Sequence, residues 1–201
     1  RQLRTLTETR YLWHSVVYSS TTSATHAAKH TTLHLIAFHD HFLHRQSERV
    51  RAMSMLSVRM ATHSDLKSLS ELFDGYRSFY LQAPDIERAR DFISERLARN
   101  DSWILVAQER DELLGFCQLY PSFSSTNTSR IAILNDLYVT EAARTKGVGR
   151  ALMRAAEDLG RNLGLSGLEL ATAISNANAQ DLYEKQGWQR DREFYYYSKK
   201  I

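Results

Sequence analysis

The strongest constraint on this chain is the run from Arg130 to Thr172, where two strand patterns flank a glycine turn and a helix pattern. Arg130-Ile-Ala-Ile-Leu-Asn-Asp-Leu-Tyr-Val139 is apolar at successive positions except for Asn135 and Asp136, as in a strand covered on both faces. Beyond the turn, Val148, Leu152, Ala155/Ala156, Leu159 and Leu163 recur at helical spacing, and Gly164 to Gly167 ends that helix before the strand Leu168-Glu-Leu-Ala-Thr172. A strand, helix, strand crossover of this kind commits the chain to an α/β sheet.

Ahead of this run, Leu56-Ser-Val-Arg-Met60 alternates like a half-buried strand, and Thr62 to Asp65 offers capping side chains for a helix. That helix carries Leu66, Leu69, Leu72/Phe73, Tyr76 and Phe79/Tyr80 on one face; a second, begun at Pro84-Asp85, carries Ile86, Ala89, Phe92/Ile93 and Leu97. Trp103 to Ala107 and Leu113 to Tyr120 flank Arg110-Asp-Glu112 as a hairpin, followed by a polar loop from Ser122 to Ser129. Asn178 to Gln186 predicts a short helix stopped by Gly187, and Trp188 onward with Phe194 to Lys200 predicts two final strands. The expected order is β-α-α-β-β-β-α-β-α-β-β around a mixed, mostly antiparallel central sheet.

The first 56 residues are a different kind of polymer. They hold seven of the eight histidines, no glycine and no proline, and no sustained apolar period. Seven basic against three acidic side chains put them at +4, so the +3 of the whole 201-residue chain leaves −1 for the rest. The positive balance therefore belongs to the extension, and the main domain, 56–201, offers no basic surface for nucleic acid. Tyr11 to Ala28 is uncharged but contains seven Ser or Thr and two His, too polar for a membrane span. His41 and His44 stand three apart, yet a histidine-rich extension explains them without a metal, and no metal site is assigned. With Met53, Met55 and Met60 just ahead of the first regular pattern, residues 1–55 are read as an irregular extension that need not belong to the native fold. The single cysteine, Cys117, lies in the apolar run Leu113 to Leu119 and reads as a buried thiol, which fits a reducing, cytoplasmic setting.

The segment richest in chemistry is Arg144-Thr-Lys-Gly-Val-Gly-Arg150. Its two glycines let a ligand approach the backbone, and the helix beginning there turns unpaired N–H groups and a positive dipole end toward an anion, with Arg144, Lys146 and Arg150 nearby. The closing Lys and Ser/Thr of a P-loop are absent, as is an early Gly-x-Gly after the first strand, where a Rossmann first turn would carry it. A tight turn without a ligand is the competing explanation of these glycines.

In this segment the chain resembles the GNAT superfamily of acyl-CoA-dependent N-acetyltransferases, whose loop has the form Arg/Gln-x-x-Gly-x-Gly/Ala, met by Arg144, Gly147 and Gly149. A second family pattern, Asn-x-x-Ala-x-x-x-Tyr-x-x-x-Gly-aromatic, is met by Asn176, Ala179, Tyr183, Gly187 and Trp188. The resemblance covers residues 56–201 and implies acetyl-CoA as co-substrate, with no metal. It implies that main-chain groups of Leu137, Tyr138 and Val139 face the pantetheine arm and the thioester oxygen. The amides of Thr145, Lys146, Gly147, Val148, Gly149 and Arg150 would hold the pyrophosphate, Asn176 the pantetheine arm, and Tyr183 would protonate the departing thiolate. A phenol with a pKa near 10 stays protonated for that task at neutral pH. Packing in the short helix is the rival assignment for Tyr183, and helix capping for Asn176.

The acceptor is less legible. Leu134 to Val139 is similar to the corresponding strand of the diamine and polyamine acetyltransferases, but Asn135 stands where those enzymes often carry Glu, and Asn accepts no proton in that role. Asp136 remains as a base or amine anchor, with a structural hydrogen bond as its alternative. Asp74, Tyr76, Tyr80 and Tyr138 are candidates for the acceptor pocket, with plain packing as the alternative. The expected activity is acetyl transfer to a primary amine by direct attack in a ternary complex. A protein or peptide amine acceptor is the nearest rival, and a non-catalytic acyl-CoA-binding sensor is the rival from another class. The resemblance also implies a homodimer, for which Phe194 to Tyr197 would supply an edge.

Overall fold

The structure, a computed structural model, describes residues 56–201. The expectations for the basic extension and for His41 and His44 lie outside the described residues. The elements in chain order are β1 (Leu56–Met60), α1 (Leu66–Phe79), α2 (Ile86–Arg99), β2 (Trp103–Glu109), β3 (Glu112–Ser124), β4 (Ser129–Val139), α3 (Val148–Asn162), β5 (Gly167–Glu169) and α4 (Ala177–Glu184). The strands form one sheet in the order β1-β2-β3-β4-β5. The first three pairings are antiparallel, and the crossover through α3 makes β4 and β5 parallel.

Both faces of the sheet are covered, which is why β2 is buried at four successive residues from Ile104 to Ala107. Ile104, Val106 and Phe116 pack with Leu69, Leu72 and Phe73 of α1 and with Ala89 and Ile93 of α2. Leu105, Ala107, Cys117, Leu119 and Leu134 pack on the other face with Val148, Leu152 and Ala156 of α3. Each Val, Leu, Ile or Phe among them, fully buried, contributes about 1.5–3 kcal/mol.

Local signals set the helix starts. Asp85, after Pro84, caps α2 by accepting from the Arg88 amide at 3.0 Å. Ahead of α1, the Asp65 carboxylate takes the Thr62 amide at 2.8 Å and both guanidinium arms of Arg59 at 2.7 Å, tying β1 to the helix. That fork holds the Asp65 carboxyl down at about 2.

Three expectations change. Ser122–Ser129 is a strand-bordered tip rather than a long loop, because β3 and β4 stay paired out to Ser124 and Ser129. There the hairpin projects beyond the core, Phe123 is 74% exposed, and the composition turns polar without the pairing ending. The strand after α3 is only Gly167–Glu169. Residues 188–201 form no strand among the described residues, and the exposed side chains of Phe194 to Tyr197 show that aromatic β-propensity does not make a strand where no pairing partner is in register.

Candidate active site

β4 pairs with β5 only through Ile131, Ala132 and Ile133. From Leu134 onward the parallel ladder ends while β4 runs on to Val139, so its backbone on that side has no strand partner. The cleft beside it has a volume of about 460 Å³ and is walled by this part of β4, the glycine turn, the end of α1 and the inner side of α4.

A bulge aims the side chains of β4. Gln118 pairs with Asp136 but Leu119 with Leu134, so Asn135 is an extra residue. Alternation resets across it: Leu134 and Leu137 both pack toward α3, and Tyr138 packs toward α1 and α2. Asp136, paired with buried Gln118, is only 4% exposed, while Asn135 faces the cleft.

The turn at the cleft's edge has the conformation its glycines predict at one position and a different reason at the other. Gly147 has φ +90°, which a side chain would strain, and a Cβ there would meet nothing within 4 Å. Gly149 is already in α3; a Cβ would come within 3.2 Å of Leu182 Cδ2, so its bareness lets α4 approach. Arg144 donates to the Val139 carbonyl at 3.3 Å and lies 5.8 Å from the Phe79 ring centre. The amides of Val148, Gly149 and Arg150 belong to the first turn of α3, whose intrahelical bonds begin with Ala151 N–H to Gly147 O.

Asn176 caps α4, its Oδ1 accepting from the Ala179 amide at 3.3 Å, and it also lines the cleft. Tyr183 lines the cleft from α4, with its ring 6.3 Å from Trp188. Trp188 Nε1 donates to Glu157 Oε1 at 3.0 Å, which anchors the end of α4 to α3. Burial, and next the nearby Tyr80, push the Tyr183 phenol above its ordinary pKa, with hydrogen bonding from Thr172 acting the other way. Tyr183 is therefore a neutral proton carrier at physiological pH.

Asp136 sits behind the cleft wall. Burial raises its pKa, opposed by hydrogen bonding from Tyr76 and Asn135; Asn135 Nδ2 donates to its Oδ1 at 3.1 Å. Tyr76, which does line the cleft, is raised by burial first and then by the Asp136 charge. A carboxylate with a raised pKa, one side chain from a cleft, takes up a proton more readily than an ordinary aspartate and is a candidate proton acceptor. Cys117 faces α3 within the core, and burial raises its thiol well above the ordinary value, so it offers no thiolate.

The cleft thus gathers Leu137, Tyr138, Val139, Arg144, Thr145, Gly147, Gly149, Arg150, Asn176 and Tyr183, with Asp136 directly behind. Lys146 is exposed and outside the wall, and the Val148 side chain is core, leaving only its amide for a ligand. Asp74 does not reach the cleft: its Oδ1 accepts from Arg77 at 2.6 Å and from the Asp85 amide at 2.9 Å, closing the α1–α2 connection. Two residues were missed in the sequence. Phe79 lines the cleft instead of packing in the core. Gly75 gives room to the Tyr138 ring, whose Oη would lie 2.7 Å from a Cβ there. A glycine inside an amphipathic helix was the available signal, since it costs about 1 kcal/mol against alanine.

Among the described residues, no helix is long and apolar enough to cross a membrane and no cluster of His, Cys, Asp or Glu is placed to hold a metal. The Acetyltransferase (GNAT) family model matches residues 66–188. An uncharacterized N-acetyltransferase, YhfO, of Bacillus subtilis is 44% identical over 142 residues, covering 71% of this chain and 95% of that protein. A D-amino-acid N-acetyltransferase of Saccharomyces cerevisiae is 34% identical over 87 residues, or 43% of this chain and 54% of that protein. The crystal structure of a probable acetyltransferase superposes with a TM-score of 0.68 at 41% identity, covering 72% of this chain and 97% of the other. With the short β4–β5 ladder that leaves the end of β4 open, the glycine turn and this likeness in agreement, the chain belongs to the GNAT family and is an N-acetyltransferase.

Proposed function

We propose that the acetyl donor is acetyl-CoA and that the acceptor is a primary amine, which attacks directly while both are bound. The observation that carries this is the stretch of β4, Leu134–Val139, without a strand partner on its cleft side, lying beside the same cleft as the first turn of α3. It provides a line of main-chain groups ending in free amides, which suits an extended amide-bearing arm ending in a pyrophosphate. Arg144 and Arg150 beside the turn add charge for that anion. Acetyl-CoA supplies an acetyl group activated as a thioester and a thiolate leaving group.

The roles of this chain's residues follow. Main-chain N–H from Leu137 to Val139 donates to the thioester oxygen as negative charge gathers on it. Asp136 takes the ammonium proton, through Tyr76 or a water, so that the amine attacks with its lone pair free. The amine nitrogen bonds the acetyl carbon as the carbon–sulfur bond breaks, and Tyr183 gives its phenolic proton to the sulfur. Asn176 holds the start of α4, and with it Tyr183, while offering its amide to the arm. An amine acceptor accords with the D-amino-acid acceptor in the yeast relative's name. A cytoplasmic setting and a homodimer, formed through the exposed Phe194–Tyr197 run, belong to the same reading.

The test is free-thiol release from acetyl-CoA by the full chain, against monoamines, diamines, amino acids, aminoglycosides and lysine peptides. Amine-dependent release supports the reading. Release without amine dependence, or tight acetyl-CoA binding with no release, refutes it, the second outcome supporting a sensor.

A further inference from the structure

The cleft's charges and aromatic rings together narrow the acceptor. α1 ends in Tyr76, Phe79 and Tyr80, whose rings meet edge to face at 5.1 Å (Tyr76–Tyr80) and 5.2 Å (Phe79–Tyr80). Tyr76 also meets the buried Phe116 at 6.1 Å, and Phe116 lies 6.5 Å from Tyr138. Tyr76, Phe79, Tyr80 and Tyr138 all line the cleft, so one wall is largely aromatic, with the buried Phe116 behind it. Phe79 is 50% exposed and Tyr80 42%, an apolar area left open among the described residues.

The carboxylates are few. Asp181 on the opposite wall is held by Lys185 at 2.6 Å, leaving no net negative charge there. Among the described residues, only Asp136, behind Tyr76 and Asn135, is left to compensate an incoming ammonium. A single carboxylate behind aromatic rings compensates one cation. A second or third ammonium on the same molecule would lose its water against the aromatic wall without a second carboxylate to partner it.

Resting on the reading above, we infer that the acceptor is a monoamine with an apolar, aromatic or branched aliphatic, body that lies on the wall formed by Tyr76, Phe79, Tyr80 and Tyr138. Polyamines and aminoglycosides are poor acceptors. Asn135 sets this preference: it fills the cleft-facing place at the bulge where a second carboxylate would serve a second ammonium.

The experiment measures kcat/KM by thiol release with the full chain, using phenylethylamine and isopentylamine against spermidine, kanamycin and a lysine peptide at saturating acetyl-CoA. The expected result is a preference of about tenfold or more for the monoamines. Tyr80→Ala, at the exposed end of α1, raises the KM for phenylethylamine severalfold and leaves the KM for acetyl-CoA unchanged. Asn135→Glu narrows the gap between phenylethylamine and a diamine. Preferred turnover of spermidine, kanamycin or the peptide overturns the inference while leaving acetyl transfer standing. An unchanged phenylethylamine KM in Tyr80→Ala also overturns it. No release with any amine removes the underlying reading, and this inference with it.

Discussion

Gly149 connects the loop that would hold the pyrophosphate to the helix that carries Tyr183, and replacing it with Ala tests that connection. The new Cβ would lie 3.2 Å from Leu182 Cδ2 and 3.8 Å from Val139 Cγ2, so the first neighbour must yield by a few tenths of an ångström. Leu182 is only half-buried and is able to yield, which puts the overpacking cost near the lower end of about 1–3 kcal/mol. Alanine's helix propensity offsets about 0.8–1 kcal/mol of it, leaving stability within about 1 kcal/mol of the parent. Activity is more sensitive. If a misplacement of about 1 Å costs on the order of a hundredfold, a few tenths at Tyr183 cost roughly threefold to tenfold in kcat. The assay is a double-mutant cycle with Leu182→Ala, reading thermal melting, acetyl-CoA affinity and kcat. Gly149→Ala should lower kcat in the parent and much less in the Leu182→Ala background, with a coupling of about 1 kcal/mol. Equal loss of acetyl-CoA affinity in both backgrounds would refute the reasoning, because it would mean that the glycine serves ligand contact alone.

Three further outcomes follow from the geometry. Gly147→Ala forces a side chain into φ +90° with no atom to clash against, so a cost of about 1–2 kcal/mol in thermal melts should be purely conformational, and acetyl-CoA affinity should fall with it. Because Asp136 has a raised pKa, it loses its proton-accepting form on acidification at a higher pH than an ordinary aspartate; the acid limb of kcat/KM should lie correspondingly high and vanish in Asp136→Asn, along with about a hundredfold or more in rate. Asp65, lowered from 3.8 to about 2 by Arg59, contributes stability that is complete above 3.8 and lost as pH falls through about 2. The shift corresponds to about 2 kcal/mol, reduced to about 1 because Arg59 is 39% exposed, so Asp65→Asn should melt several degrees lower at pH 7 and no lower at pH 1.

The legible features of the site are those set by local chemistry. Gly147 needs its positive φ whatever surrounds it, and the period of Val148, Leu152 and Ala156 marks a helix on a sheet without knowledge of the sheet. Asn135 and Asp136 were conspicuous as neighbouring polar residues in an apolar strand, but the bulge that sends one to the cleft and buries the other arises from pairing with Gln118 and Leu119, far away in sequence. Asp74 and Tyr76 are equally polar and two residues apart; only the packed helix shows that the first closes a loop and the second meets the cleft. Gly75 depends on Tyr138 in the same way. The final strands were read from aromatic content at Phe194 to Tyr197, yet strand formation depends on a partner edge, a property of the assembled sheet rather than of those residues.

In the proposed reaction, Tyr183 delivers a proton to the leaving thiolate from the wall of this cleft. The most direct test compares Tyr183→Phe with the parent chain in thiol release and in acetyl-CoA binding. The ring is retained, so its packing against Trp188 and the fold should survive. The account predicts a fall in kcat of about a hundredfold or more with acetyl-CoA affinity within about twofold. Parent-like kcat in Tyr183→Phe would contradict it and return Tyr183 to the role of a packed aromatic.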